Sequence, residues 1–337
     1  MQDKPVLGIL LGDPAGVGPE IVAKLAVADF FSAYCRPLFI GDKRILDRAF
    51  SVIGKKVAVK VVSSADKAEW NGSIPMLDLA DADPEVCPYG KLSVVGGKAC
   101  LDELTMGVKL FQDKMIQGFC FVPLNKAGMK EAGCTYESEH HYMAHLFGCS
   151  DKPFGEINVV DNLWTTRTTS HIPIKEVSQN LTIEKIFRAI TLADVSLKSS
   201  GIAHPRIGIA ALNPHCGENG LCGREEIDVI APAIQKAKDA GMDVYGPFPS
   251  DILFIKAFRG DFNGVVTMYH DQGQIALKLK GFDQGITIAG GLPAPIVTCA
   301  HGTAYDIAGK GIVKTSAFEN AVKMASRMAV HLAEERS

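Results

Sequence analysis

The nine cysteines of this 337-residue chain form no CxxC pair and follow no regular spacing, so no disulfide framework is written into them. Free, mostly buried thiols in a reducing cytoplasm are expected instead. Charge of one sign is lacking too: 35 basic against 38 acidic side chains leave a formal charge of −3, which offers no field for nucleic acid or an anionic membrane. No apolar run approaches the length of a membrane span. The opening MQDKPVLGILLGDPAG breaks into acid, proline and glycine after one short apolar stretch, as a first strand does and a signal peptide does not. No internal repeat, coiled coil or low-complexity linker occurs, which argues against a purely structural protein. What is present, 47% apolar and 22% charged residues, suits a cytoplasmic enzyme of roughly two domains.

Short apolar runs alternate with helix-length amphipathic segments, the pattern of an α/β protein with a largely parallel sheet. Strands are expected at Val6–Leu11, Leu38–Ile40, Val57–Val62, Ile74–Leu79, Phe119–Val122, Ile157–Val160, Ile207–Ala211, Val244–Gly246, Gly264–Met268 and Gly285–Ile288. Helices are expected over Gly97–Gln117, Ile183–Leu197, Arg224–Ala240 and Ala317–Glu335. Ser316, three residues before Glu319, reads as a capping box, and Gly241 as a helix stop.

Three histidines sit in compact polar motifs after apolar runs: Ser170-His171, Asn213-Pro214-His215 and Tyr269-His270-Asp271. They are spaced too widely for a zinc finger. Neighbouring strand ends would bring them to one cleft, where neutral imidazoles suit Zn, Co, Ni or Fe and leave positions open for a substrate. Taken singly, each is most simply a hydrogen-bonded histidine near a strand end; the surrounding motifs favour the metal. The loop GDPAGVGPE joins a strand to a helix, with Gly12, Gly16 and Gly18 permitting close backbone approach. Exposed N–H groups there would suit an anion, and a plain tight turn is an equal reading, since the loop has neither the GK[ST] ending of a P-loop nor the GxGxxG register. NPHCGENG pre-positions His215 between Pro214 and Gly217, and YHDQGQIALK adds Asp271 and, two turns along a helix, Lys278. In HGTAYDIAGKG, His301–Gly311, two glycine-containing turns with a histidine and an acid are able to surround an adenosine.

Together GDPAGVGPE, PLNKAG, TSHIPI, NPHCGENG, GREEID, GMDVYGPFPSD, MYHDQG and GLP resemble the 4-hydroxythreonine-4-phosphate dehydrogenase family over nearly the whole chain. HGTAYDIAGKG is similar to the cofactor loop of the wider isocitrate and isopropylmalate dehydrogenase superfamily. The resemblance implies two α/β/α subdomains with a cleft between them, in a homodimer whose sites combine residues of both subunits. Residues 1–125 with 283–337 would form the cofactor side, and 126–282 the metal, substrate and dimer side. It further implies that His171, His215 and His270 hold the metal, that Lys278 and Asp251 line the cleft, and that NAD or NADP rests largely on His301–Gly311. Within that loop His301, Gly302, Thr303, Ala304 and Asp306 are the expected contacts, with Gly12 and Gly16 beside them.

The chain departs from the family where phosphorylated substrates bind. A Gly-His-Thr-Glu stretch is replaced by Ser138-Glu139-His140-His141, so that Glu139 and His140 stand for the family's histidine and threonine. Its substrate asparagine falls on Thr287 and its substrate arginine on Ile296. Losing a guanidinium grip and gaining Glu139 disfavours a dianionic phosphate at that spot, although His140, His141 and Lys126 offer a substitute. A relative that oxidises the cis-dihydrodiol of terephthalate shares the missing arginine, and like Cys299-Ala300-His301 here it has no aspartate just before the histidine. The expected reaction is metal-assisted, NAD(P)-linked oxidation of a secondary alcohol in a hydroxy acid, phosphorylated or not, followed by decarboxylation. Asp251 or Asp271 would accept the hydroxyl proton and Lys278 would act at the enol or ketone. A dihydrodiol dehydrogenase is the alternative, and a three-histidine metal hydrolase a more distant one.

Overall fold

Val6–Leu10, Gly118–Phe121 and Ile296–Cys299 are buried at every position, the signature of parallel strands covered on both faces. In the computed structural model, which describes residues 4–281 and 283–336, the chain divides into two compact units. One runs to Ser150 and resumes at Leu292, and the other is Asp151–Gly291.

The first unit contains β1 (Val6–Leu10), β2 (Arg36–Gly41), β3 (Val59–Val61), β4 (Ile74–Asp78), β5 (Gly118–Phe121) and β12 (Ile296–Cys299). They pair in the order β3-β4-β2-β1-β5-β12, all parallel. Its helices are α1 (Gly18–Val27), α2 (Phe30–Tyr34), α3 (Lys43–Ile53), α4 (Val94–Gln112), α5 (Lys126–Glu131), α6 (Glu139–Leu146) and α12 (Ser316–Arg336). Residues 126–150, expected on the metal side, group here because α5 packs against α4. A Cβ on Gly97 would lie 2.0 Å from the Gly128 carbonyl oxygen, so this backbone contact needs glycine.

The second unit contains β6 (Gly155–Val160), β7 (Leu163–Arg167), β8 (Ile207–Ala210), β9 (Val244–Phe248), β10 (Gly264–Thr267) and β11 (Ile286–Gly290), in the order β11-β6-β7-β10-β8-β9. Its helices are α7 (Val177–Asn180), α8 (Ile183–Ser199), α9 (Ala231–Asp239), α10 (Ser250–Phe258) and α11 (His270–Gly281). Residues 283–291 belong here, not on the cofactor side, because β11 pairs with β6. The sheet is largely parallel, as expected, with the exception of β6, which runs antiparallel to both β11 and β7. A two-residue turn at Asp161-Asn162 makes β6 and β7 a hairpin, with Asp161 at φ 54°. Strands β7 and β12 lie outside the expected set.

The expected helix over Arg224–Ala240 forms from Glu225 to Asp239 with a π-turn in its first half. A π-turn spans Glu226–Ile230 before α9 begins, next to Pro232, which has no N–H to donate back to Asp228. The expected capping segment at Ser316 is where α12 begins. Ser316 is the first residue of α12, and the Thr315 hydroxyl before it donates to Glu319 at 2.7 Å. Gly241 stops α9 at φ 82°, as expected. No helix among the described residues is long and apolar enough to cross a membrane.

Candidate functional site

The three histidines leave the C-terminal ends of three adjacent parallel strands, β7, β10 and β8, the edge where open α/β sheets bind ligands. The His171 and His270 rings stand 5.8 Å apart between centroids at 42°. His270 Nδ1 donates to Asp271 Oδ1 at 2.7 Å, which leaves the Nε2 lone pair outward in the manner of a carboxylate-oriented metal ligand. His215 lies in Pro214–Gly220, where His215, Cys216, Gly217, Glu218 and Asn219 all take left-handed φ between 45° and 74°. Among the described residues no three His, Cys, Asp or Glu side chains gather as a metal cage. Two of the three expected imidazoles are therefore brought together, while His215 stands on the next strand end. The donor chemistry, with two near imidazoles, a third on the adjoining strand and a carboxylate behind His270, fits a divalent cation of the expected kind.

What holds the strained loop was not legible as chemistry. Glu226, 3% exposed, accepts the N–H groups of Leu212 and Asn213 at 2.9 and 2.7 Å and the Asn213 side-chain amide at 2.9 Å. Glu225 takes the same amide at 2.7 Å. GREEID is thus the anchor of NPHCGENG. Gln272 was missed as well: its carbonyl accepts Met268 N–H at 2.7 Å, and its amide donates to the Ala211 carbonyl and Ser250 hydroxyl, each at 2.7 Å. One side chain so ties the ends of β10 and β8 to the start of α10, where Asp251 sits. Asp251, Asp271 and Lys278 are all exposed. Thr287 is 7% exposed and accepts from Asn158 Nδ2 at 3.1 Å.

In the first unit the two glycine motifs form one object. Of the two readings of GDPAGVGPE the tight turn holds, because its amides are consumed. Gly12 N donates to Glu103 at 2.7 Å, Ala15 N to Asp13 at 2.9 Å and Val17 N to the Thr303 carbonyl at 3.0 Å. Residues 11–20 are buried throughout. Gly12 (φ 66°) lets this loop pass close to Val122 and Pro123, and Gly16 lets it pass under the 301–311 segment, where a Cβ would lie 3.0 Å from Thr303 O. Glu20, 0% exposed, accepts Gly309 N–H at 2.6 Å and Gly311 N–H at 2.8 Å. The outer side of the segment stays open, with Gly302 and Asp306 exposed and His301, Thr303 and Ala304 half-buried. A Cβ on Gly302 would meet nothing within 4 Å, and Ala304 holds φ 46°. A loop braced from behind and open at a glycine fits close approach by a dinucleotide.

The departures from the family pattern are also placed. Lys126 Nζ stands 3.3 Å from Glu139 Oε2 and His140 Nδ1 3.6 Å from Oε1, while His141 Nε2 lies 3.6 Å from Glu137. Lys126 and Glu139 thus offset each other's charge. Ile296 is 0% exposed in β12 and presents no surface to a ligand, so its expected place among the substrate contacts is corrected to the core. A 480 Å³ cavity in this unit, lined by Lys4, Phe31, Arg36 and Trp70, includes none of the motif residues.

This fold recurs in known proteins. The sequence model of the family described as pyridoxal phosphate biosynthetic protein PdxA matches residues 33–325. A D-threonate 4-phosphate dehydrogenase from Cupriavidus necator is 38% identical, covering 98% of each chain. The crystal structure of a 4-hydroxythreonine-4-phosphate dehydrogenase from Burkholderia phymatum superposes with a TM-score of 0.83 at 36% identity, over 96% of this chain and 98% of that one. A terephthalate 1,2-cis-dihydrodiol dehydrogenase from Burkholderia xenovorans reaches 0.65 at 27% identity, over 96% and 98%. The named relatives are dehydrogenases with this α/β fold. The chain belongs to the PdxA family, that of the 4-hydroxythreonine-4-phosphate dehydrogenases, as its motifs suggested.

Proposed function

We propose that this protein is a divalent-metal-dependent, NAD(P)-linked dehydrogenase that oxidises the secondary alcohol of a 4-phosphorylated hydroxy acid, with loss of CO₂ where a carboxylate lies β to the new ketone. The observation that carries the reading is the arrival of His171, His270 and His215 at the ends of three adjacent parallel strands. The relationship to a D-threonate 4-phosphate dehydrogenase supports the phosphorylated hydroxy acid. When bound, the metal supplies Lewis acidity at the alcohol and the dinucleotide a two-electron acceptor. His171, His270 and His215 are the residues to hold the metal, and 301–311 the segment to hold NAD or NADP. Asp271 orients His270, and Asp271 or Asp251, both exposed at the start of their helices, accepts the hydroxyl proton. Lys278 returns a proton to the enol left by decarboxylation. The enzyme acts as a homodimer with shared sites.

A non-phosphorylated dihydrodiol is the second reading, favoured by the Lys126–Glu139 pair, which leaves less free cation for a phosphate. The test is a screen of hydroxy acids, their 4-phosphates and aromatic dihydrodiols on chelator-stripped protein, with and without Zn²⁺ or Co²⁺, followed by NAD(P)H absorbance. Metal-restored turnover of a 4-phosphate is expected. Turnover undiminished by stripping would remove the metal from the reading, and turnover of the dihydrodiols alone would replace the substrate.

A further inference from the structure

Gln274 lies one helical turn beyond His270 on α11, on the same face. Its amide donates to Asn158 Oδ1 at 2.5 Å. The same oxygen accepts Arg167 Nη1 at 3.0 Å, and Arg167 Nε donates at 2.9 Å to the hydroxyl of Ser170, the residue before His171. An unbroken chain of side-chain hydrogen bonds therefore runs from the helix that carries His270 to the turn that carries His171. Asn158, 5% exposed, is its node. Its amide nitrogen donates to Glu156 at 2.8 Å and to Thr287 at 3.1 Å, so two donors and two acceptors surround it. Glu156 closes the network with Arg167 Nη2 at 2.7 Å. Backbone bonds from Thr168 to Thr267 and from Thr169 to Met268 fix the two strand ends. They do not reach the Ser170-His171 turn, which Arg167 holds from the side.

We propose that Gln274, acting through Asn158 and Arg167, is a positioning residue that sets the separation of the His171 and His270 rings and thereby the affinity for a divalent cation. The proposal rests on the reading that these two histidines hold the metal. A fully satisfied buried amide at the node makes the linkage stiff, and groups that orient metal-binding histidines govern affinity by about tenfold to a hundredfold.

The experiment measures Co²⁺ binding to the full-length protein by calorimetry and visible absorption, in the parent, Gln274→Leu, Arg167→Lys and His270→Ala, with circular dichroism and thermal melting alongside. Gln274→Leu and Arg167→Lys are each expected to weaken Co²⁺ binding about tenfold or more at temperatures where they are fully folded, and to shift the Co²⁺ spectrum. A purely structural role would lower the melting temperature and leave the dissociation constant alone. Affinity within about twofold of the parent in both variants, with binding lost in His270→Ala, would overturn the positioning role only. Parental affinity in His270→Ala would overturn the metal reading and this proposal with it. If Gln274→Leu does not fold, Arg167→Lys decides, because it keeps the charge and removes the fork.

Discussion

Tyr305 donates its phenolic hydrogen to the buried carboxylate of Asp13 at 2.5 Å, joining residues 292 positions apart. Asn125 donates to the same phenol oxygen at 2.8 Å. Burial raises the Asp13 carboxyl above its usual range, against the opposing pull of the Tyr305 bond. Burial, then the Asp13 acceptor, hold the Tyr305 phenol well above its own. Tyr305→Phe leaves Asp13 Oδ2 without this donor and is expected to cost about 1–3 kcal/mol. If the 301–311 segment binds the dinucleotide, its affinity should weaken with little change in kcat. Urea denaturation and NAD(P) calorimetry check the two parts.

Glu20 braces that segment a few residues further on, through Gly309 and Gly311. Bonds to a charged acceptor contribute roughly 1.5–3 kcal/mol each when the alternative is burial unpaired. Glu20→Gln keeps the shape but removes the charge and one acceptor. Faster amide exchange at Gly309 and Gly311 and a higher KM for NAD(P) are expected. Exchange identical to the parent's would remove Glu20 from the loop's support.

Glu226 holds the left-handed run at His215 by its bonds to Leu212 and Asn213. Non-glycine residues in that conformation cost about 1–2 kcal/mol each, so the run persists only while its anchors do. Glu226→Ala should destabilise the protein by about 2–4 kcal/mol, with two backbone N–H groups left buried and unpaired, and should weaken metal binding with it. Chemical denaturation and Co²⁺ titration measure both; an unchanged midpoint would contradict the anchoring.

Asp81 carries both carboxylate oxygens shielded from solvent and without a hydrogen-bond partner. Burial, and then the charge of Asp102, push it up to about 6 from 3.8. A raised acid binds more protons folded than unfolded between those values, so its contribution to stability is present at low pH and is lost as pH rises through about 6. Asp81→Asn is expected to melt like the parent near the lower value and above it at neutral pH. Melting curves taken across that range give the answer, and parallel pH profiles would reject it.

Much of the frame was readable from local pattern. The fully apolar runs of β1, β5, β8 and β10 announced buried parallel strands, and the polar residues after β8 and β10 announced His215 and His270. Strand β7 was harder to read, because Thr165, Thr166 and Arg167 interrupt its apolar character, although Thr165 and Thr166 are buried and Thr166 and Arg167 bond to Glu156 in the hairpin partner β6. The helix over 224–240 was legible from its amphipathic pattern, and only the π-turn before Pro232, where an N–H is missing, was not. Gly12 and Gly16 left an anion cradle and a plain tight turn equally open, and the turn won because the carboxylate of Glu103 and the carbonyl of Thr303 take the amides around them.

Amino-acid order alone determined the alternation of strands and helices, the family motifs and which side chains stand just past each strand, since these follow from periodicities of two and 3.6 residues. The tertiary structure alone decided that Glu20 serves residues 309 and 311, that Glu226 serves the His215 loop and that Asn158 links Arg167 to Gln274. Each of those joins groups distant in sequence. Their hydrogen bonds exist only once the sheets have formed and removed the competing water.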